Sequence, residues 1–240
     1  GIGAAQNRGV AYLKEQMRDV KFMLFLDQDS VPDAGVVSIL KSEFMAACVH
    51  SKVAVIGTAL FDPRAGAYHS FHKLEGFRYR KIKPQDMGSQ PLRCTTVNSS
   101  GSFISLQAFE EIGAFDEGLF IDHVETEWCF RATSKGFAVF VTNKTELKHL
   151  MGEDVLTVSV FGWKKFMPYR SPLRHYYLFR NSVILLGRDY VPGVWKAYCV
   201  LKLLLSLMVF VSFSKEKSKQ LKSMIAGVRA GLNGQGGCVK

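Results

Sequence analysis

The sequence predicts an α/β fold built on a mixed, mostly parallel sheet with flanking helices, and three observations carry that expectation. Residues 22–26 form a short apolar run that breaks into Asp27-Gln28-Asp29, the pattern of a strand buried on both faces and leaving the sheet at its carboxyl edge. A helical repeat follows, with Val36, Val37, Leu40, Phe44 and Cys48 expected to face inward, and residues 53–57 form a second apolar run. Strand, helix and strand at this spacing make a βαβ unit, which favours parallel strands and a right-handed crossover.

Composition narrows the class. A chain of 240 residues can bury one substantial core. Its five cysteines form no CxxC pair and are odd in number, which argues for reduced thiols in a cytosolic setting and against a zinc ribbon or a disulfide framework. The net charge of +10 is unevenly placed: residues 1–160 carry 17 Lys and Arg against 19 Asp and Glu, and residues 161–240 carry 14 against 2. The expectation is a nearly neutral catalytic domain over 1–160 and a basic helical, membrane-associating tail over 161–240. The opening Gly-Ile-Gly reads as a loop entering a helix, so an upstream strand of the same sheet is expected to be missing, and no signal-peptide pattern is present.

In the first helix Val10, Leu13 and Met17 share a face, with Asn7 and Arg8 near its start. At the exit of the first strand, Asp27 and Asp29 can share a hard divalent cation with a phosphate or sugar beside it. The same residues can simply turn the chain, and Asp33 reads as a helix cap. Residues 62–93 are polar, basic and broken by Gly and Pro, an excursion hairpin or binding loop. His69 and His72 would suit a metal only on a helix, which nothing there supports.

Residues 94–97 read as a strand leading into Asn98-Ser99-Ser100-Gly101-Ser102, hydroxyls on an unhindered backbone that suit either a ligand or a turn. Ser105 can cap a helix ending at Gly113. Residues 120–131 are the second chemical candidate, with Val124, Trp128 and Ala132 on an apolar helix face that stops at Gly136. Asp122 and Glu125 fit a capping box and Glu127 with Arg131 an i, i+4 pair. The alternative is that one of these carboxylates is a general base. Residues 137–142 read as a strand, followed at a distance by His149.

Taken in order, NRG near a helix start, DQDS after an apolar strand, SSGS, IGAFDE, FIDHVETEWCFRA, a late KHLMG and SPLRHYYLFRN resemble a family 2 glycosyltransferase of the GT-A fold, in its rhamnosyltransferase-like branch. The resemblance spans nearly the whole chain. It implies a Mg2+ or Mn2+ ion held by Asp29, with Asp27 and His149 beside it. It also implies a donor site that includes Asn7, Arg8, Asp27, Ser100 and Gly101, and an acceptor side with Arg174, Tyr177 and Arg180. The position of the family's catalytic Asp is held here by Glu125, with Glu127 after it and Asp122 before it, and Glu for Asp adds a methylene. Such an enzyme is expected to move L-rhamnose from dTDP-rhamnose to a lipid-linked saccharide in cell-surface polysaccharide synthesis. An inverting transfer of that kind needs a carboxylate to take the acceptor proton and positive charge on the departing diphosphate.

In the tail, Lys196 and Lys202 interrupt the apolar stretch 191–213, and its uninterrupted part, 203–213, is too short to span a bilayer. Trp195, Tyr198 and the lysines that follow fit an interfacial helix on the inner face of the cell membrane, with a buried core helix as the rival. The competing functions are transfer from a UDP-sugar, nucleotidyl transfer, and an inactive basic membrane-binding module. The absence of a glycine- and lysine-rich phosphate loop argues against nucleotidyl transfer. Nucleic acid is not expected as a partner, because the positive residues accompany an apolar stretch rather than an aromatic stacking platform.

Overall fold

The computed structural model describes residues 1–149, 155–160 and 163–239, the last two strands by backbone alone. The chain divides into an α/β unit, Ile2–Asp116 with Val124–Leu150, and a second unit of Gly1, Glu117–His123 and Met151–Lys240.

The α/β unit opens with α1 (Ile2–Gln16), so Asn7 and Arg8 lie inside a helix rather than at its entry. Then come β1 (Phe22–Phe25), β2 (Val31–Pro32), α2 (Val36–Cys48) and β3 (Val53–Asp62). The excursion contains β4 (Ala67–Tyr68), the hairpin β5 (Phe71–Glu75) and β6 (Arg78–Ile82), and β7 (Leu92–Cys94). The unit closes with β8 (Ser102–Ser105), α3 (Leu106–Ile112), α4 (Val124–Ser134) and β9 (Ala138–Lys148).

The main path of the sheet runs β1, β8, β3, β9, β2. β3 and β9 pair in parallel, and β8 runs antiparallel to both β1 and β3, so β1, β3 and β9 share one direction. The expected βαβ unit is therefore present in direction, but β8 stands between its two strands. β1 ends the path and buries only Met23 fully, whereas β3, paired on both sides, is buried nearly throughout. α2 packs Val36, Leu40 and Phe44 against Val53, Ile56, Leu60, Phe103 and Leu147. Val37 and Cys48, expected inward, are exposed, and Glu43 and Ala47 take the inner face instead. Ser105 caps α3 through the Ala108 N–H, and Gly113, at φ 98°, ends it.

The second unit contains the antiparallel pair β10 (Val155–Val160) and β11 (Trp163–Pro168), then α5 (Pro172–Leu186), α6 (Gly193–Phe213) and α7 (Lys217–Leu232). Ser171 caps α5 by accepting the Arg174 N–H, and Pro172 occupies the first turn, where no N–H is needed. Phe179, Phe210 and Met224 join the three helices in one apolar cluster. All five cysteines are unpaired.

Candidate active site

The two aspartates leave β1 in a tight turn, in which the Ser30 N–H donates to the Asp27 carbonyl, and the chain at once re-enters the sheet as β2. β2 pairs Val31 with Lys148 and Pro32 with Leu147, at the far end of β9. That pairing delivers His149 to the carboxylates. Its Nδ1 lies 3.5 Å from Asp29 Oδ1 and 3.0 Å from Ser30 Oγ. One ligand atom each from Asp27, Asp29 and His149 falls within 4.8 Å of the others. Two hard oxygen donors and one imidazole suit Mg2+ or Mn2+, and Asp29 is exposed enough for a phosphate to share the ion.

The serine-rich loop braces this turn. Ser100 Oγ accepts the Asp27 N–H at 3.2 Å and lies 2.6 Å from Ser30 Oγ, so a line of hydroxyls runs from Ser100 through Ser30 to His149. Gly101, at φ 81°, bonds both neighbours, its N–H to the Phe25 carbonyl and its carbonyl to the Thr58 N–H. A Cβ there would run into Thr58 Cγ2 and Leu147 Cδ1. Ser100 and Gly101 therefore fix the carboxylate turn from behind. Gln6 on α1 joins them by donating to Ser99 Oγ at 2.6 Å. Asp33 does not cap α2: its carboxylate accepts the Glu146 N–H, and Gly35 holds the cap position.

On α4 the acidic residues separate by environment. Glu127 is 1% exposed and pairs with Arg131 at 2.8 and 2.9 Å; Arg131 also donates to the carbonyls of Ile112 and Ala114. Trp128 donates to the Gly113 carbonyl, and Asn7 exchanges hydrogen bonds with the backbone of Phe115 in both directions. Glu127 and Asn7 thus hold the loop after α3. Arg8 is exposed on α1. Glu125 is half-buried on the first turn of α4.

The segment before α4 belongs to the second unit and holds three non-glycine residues in the left-handed region, Phe120, Asp122 and His123, at φ 62°, 63° and 66°. Asp122 lies outside α4 and does not cap it; its carboxylate takes a two-pronged bond from Arg174 at 3.0 and 3.1 Å. Tyr177 stacks on Phe120 with centroids 4.9 Å apart, and Arg180 donates to the carbonyls of Gly118, Leu119 and Gly237. Tyr177 and Arg180 are 3% and 1% exposed. The three residues expected on an acceptor face therefore clamp this loop. Asn181 and Ser182, both fully buried, join them, Asn181 through three carbonyls and Ser182 through His123 Nε2 at 3.0 Å. An open concavity of about 580 Å³ lies within the second unit, among Tyr176, Lys222, Arg229 and Gln235.

The architecture is that of the GT-A glycosyltransferases. Over 97% of the chain it matches a solved structure of GalNAc-T7 with UDP, GalNAc and Mn2+, at a TM-score of 0.51 and 12% identity; the chain spans 43% of that protein's length. A structure of S. aureus TarS 1-349 with UDP-GlcNAc is more distant, at a TM-score of 0.43 and 13% identity over 94% of this chain and 71% of that one. No family model matches the chain. In sequence it is similar to dTDP-rhamnosyl transferase RfbF of Shigella flexneri, with 28% identity over 98% of this chain and 76% of that protein. The chain thus has the fold of the GT-A glycosyltransferases and in sequence resembles the rhamnosyltransferase branch.

Proposed function

We propose that the chain is a metal-dependent, inverting transferase that moves L-rhamnose from dTDP-rhamnose to a lipid-linked saccharide on the inner face of the cell membrane. The convergence of Asp27, Asp29 and His149 supports the metal-dependent part of this reading most directly. Those three side chains would hold Mg2+ or Mn2+, which when bound supplies positive charge against the departing diphosphate. Ser100 and Ser30 keep the carboxylate turn and the imidazole in register. Arg8 offers a further cation to the nucleotide. Glu125 takes the proton from the acceptor hydroxyl as that oxygen attacks the anomeric carbon, with the nucleoside diphosphate leaving from the opposite face. The resemblance puts the base at Glu125, and the carboxylates of Glu127 and Asp122 are each paired with an arginine.

The donor follows from the likeness to the Shigella enzyme, and the lipid-linked acceptor from the basic, apolar second unit. Calorimetric titration of dTDP-rhamnose, UDP-sugars and GDP-mannose with and without Mn2+, beside Asp29→Ala, tests the reading. Metal-dependent binding of dTDP-rhamnose that is lost in the variant supports it. Preference for a UDP-sugar would replace the donor, and binding indifferent to the metal or to the variant would overturn the role of Asp29.

A further inference from the structure

Helix α6 is 21 residues long, yet Trp195, Cys199 and Phe210 are its only fully buried side chains among the described residues. Its outer side carries a continuous apolar stripe: Val200, Leu201, Leu204, Leu205 and Met208 are 42–57% exposed. At about 100° per residue, Lys196 and Lys202 fall about 120° to either side of Met208, one on each flank of the stripe. We infer that this stripe is a membrane-docking face, on which α6 lies flat in the headgroup region of an anionic leaflet rather than crossing it.

The orientation follows from the lysines and from what the helix already packs against. Lys202 sits near the middle of α6, so a spanning helix would carry its charge to the centre of the hydrocarbon, the costliest depth for an ammonium group. A helix lying in the plane lets both lysine stems run along the apolar face while their heads stay among phosphates. Packing at Trp195, Cys199 and Phe210 also holds one side of α6 inside the second unit, and a spanning helix would have to give that side up.

The occupant follows from charge. Residues 161–240 carry 14 basic side chains against 2 acidic ones, and Lys215, Lys217, Lys219 and Lys222 follow directly on the end of α6; Lys219 is paired, to Glu216 at 2.6 Å. A two-fold interface between copies would set this excess of positive charge against itself. An anionic lipid surface complements it instead. The inference deepens the lipid-linked acceptor reading, because it names the surface that would bring the chain to such an acceptor.

The test uses no donor, metal or acceptor, so its failure leaves the donor-binding reading standing and the converse also holds. The chain is sedimented with vesicles of phosphatidylcholine alone and with vesicles that also contain phosphatidylglycerol. Expected is binding to the second kind only, weakened by salt. Leu204→Gln with Met208→Gln should lower the partition by more than about tenfold, and Lys196→Gln with Lys202→Gln by about fivefold per charge removed. Circular dichroism should show both variants folded, since the substituted side chains face outward. Absence of binding to the anionic vesicles, or binding unaffected by the Leu204 and Met208 changes, overturns the inference. So does sedimentation velocity showing a dimer that those two changes dissociate, which would make the stripe a self-interface.

Discussion

The side-chain amide of Asn181, fully buried on α5, donates to the backbone carbonyl of Asp122 across 2.9 Å, and it lies 2.7 Å from the carbonyls of Leu119 and Ile121. One side chain thus satisfies a stretch of backbone in which Phe120, Asp122 and His123 all occupy the left-handed region. Such conformations cost about 1–3 kcal/mol each and persist only where the surroundings enforce them. Replacing Asn181 by Leu, which has the same branching and no donor, should cost about 2–3 kcal/mol, the penalty of leaving buried carbonyls without donors. Urea unfolding of the full chain measures this. A loss under about 0.5 kcal/mol would mean the loop is held without Asn181.

At the carboxylate turn, Asp29→Ala should abolish Mn2+-dependent donor binding, because Asp29 is the exposed carboxylate of the three ligands. His149→Ala should weaken it by more than the roughly 10- to 100-fold that follows loss of a partner of a metal ligand. Ser30→Ala should act in the same direction but less, through the freed imidazole. Manganese binding followed by electron paramagnetic resonance reads all three without needing turnover. Equal binding by the parent and Asp29→Ala would rule the site out.

The sequence made β1, α2, β3, α4 and the caps at Ser105 and Gly113 legible because each rests on local periodicity or turn chemistry. His149 was harder to place, since a strand read as residues 137–142 runs on to Lys148 across a register shift opposite Thr58 and Ala59. The pairing of β2 with the end of β9, and the bond from the His149 N–H to the Phe61 carbonyl of β3, bring it to Asp29. No periodic signal announces that long-range contact. Glu127 was legible as the partner of Arg131, but its burial depends on the loop after α3. The acceptor-side expectation for SPLRHYYLFRN rests on its resemblance to the family's segment after the catalytic helix. Its side chains instead meet backbone carbonyls of residues 118–122 and the Asp122 carboxylate, groups that are distant in sequence.

The two glutamates of α4 should separate cleanly. Glu125→Gln should lower turnover by about 10²–10⁴-fold, the range for loss of a general base, and leave donor affinity unchanged. Glu127→Gln should cost stability instead, by about 2 kcal/mol, because it strips the charge partner from a largely buried Arg131 that also pins the Ile112 and Ala114 carbonyls. Steady-state kinetics with a thermal melt on each variant decides the matter. The assignment fails if Glu127→Gln melts like the parent and Glu125→Gln turns over normally.

His175 gives the second unit a pH dependence with a definite sign. Its side chain is fully buried, with Nδ1 2.7 Å from Gln220 Oε1 and Nε2 3.3 Å from Ser206 Oγ. Burial lowers its pKa from 6.5 to about 4, against the opposing effect of the Gln220 hydrogen bond. His123 is lowered to about 4 as well, again chiefly by burial, with Lys202 and Arg170 adding to the effect and Asp122 opposing it. Above pH 6.5 the folded and unfolded chains both hold these rings neutral, and neither ring contributes to pH dependence. As pH falls below 6.5, the unfolded chain takes up protons that the folded chain refuses, so stability declines until the folded rings titrate near pH 4. The slope is about 1.4 kcal/mol per pH unit for each such histidine. Urea unfolding at pH 7, 6 and 5 should show this decline, and His175→Gln should make it shallower by about one histidine's worth. An unchanged slope in that variant would mean that His175 protonates in the folded chain as readily as in the unfolded one.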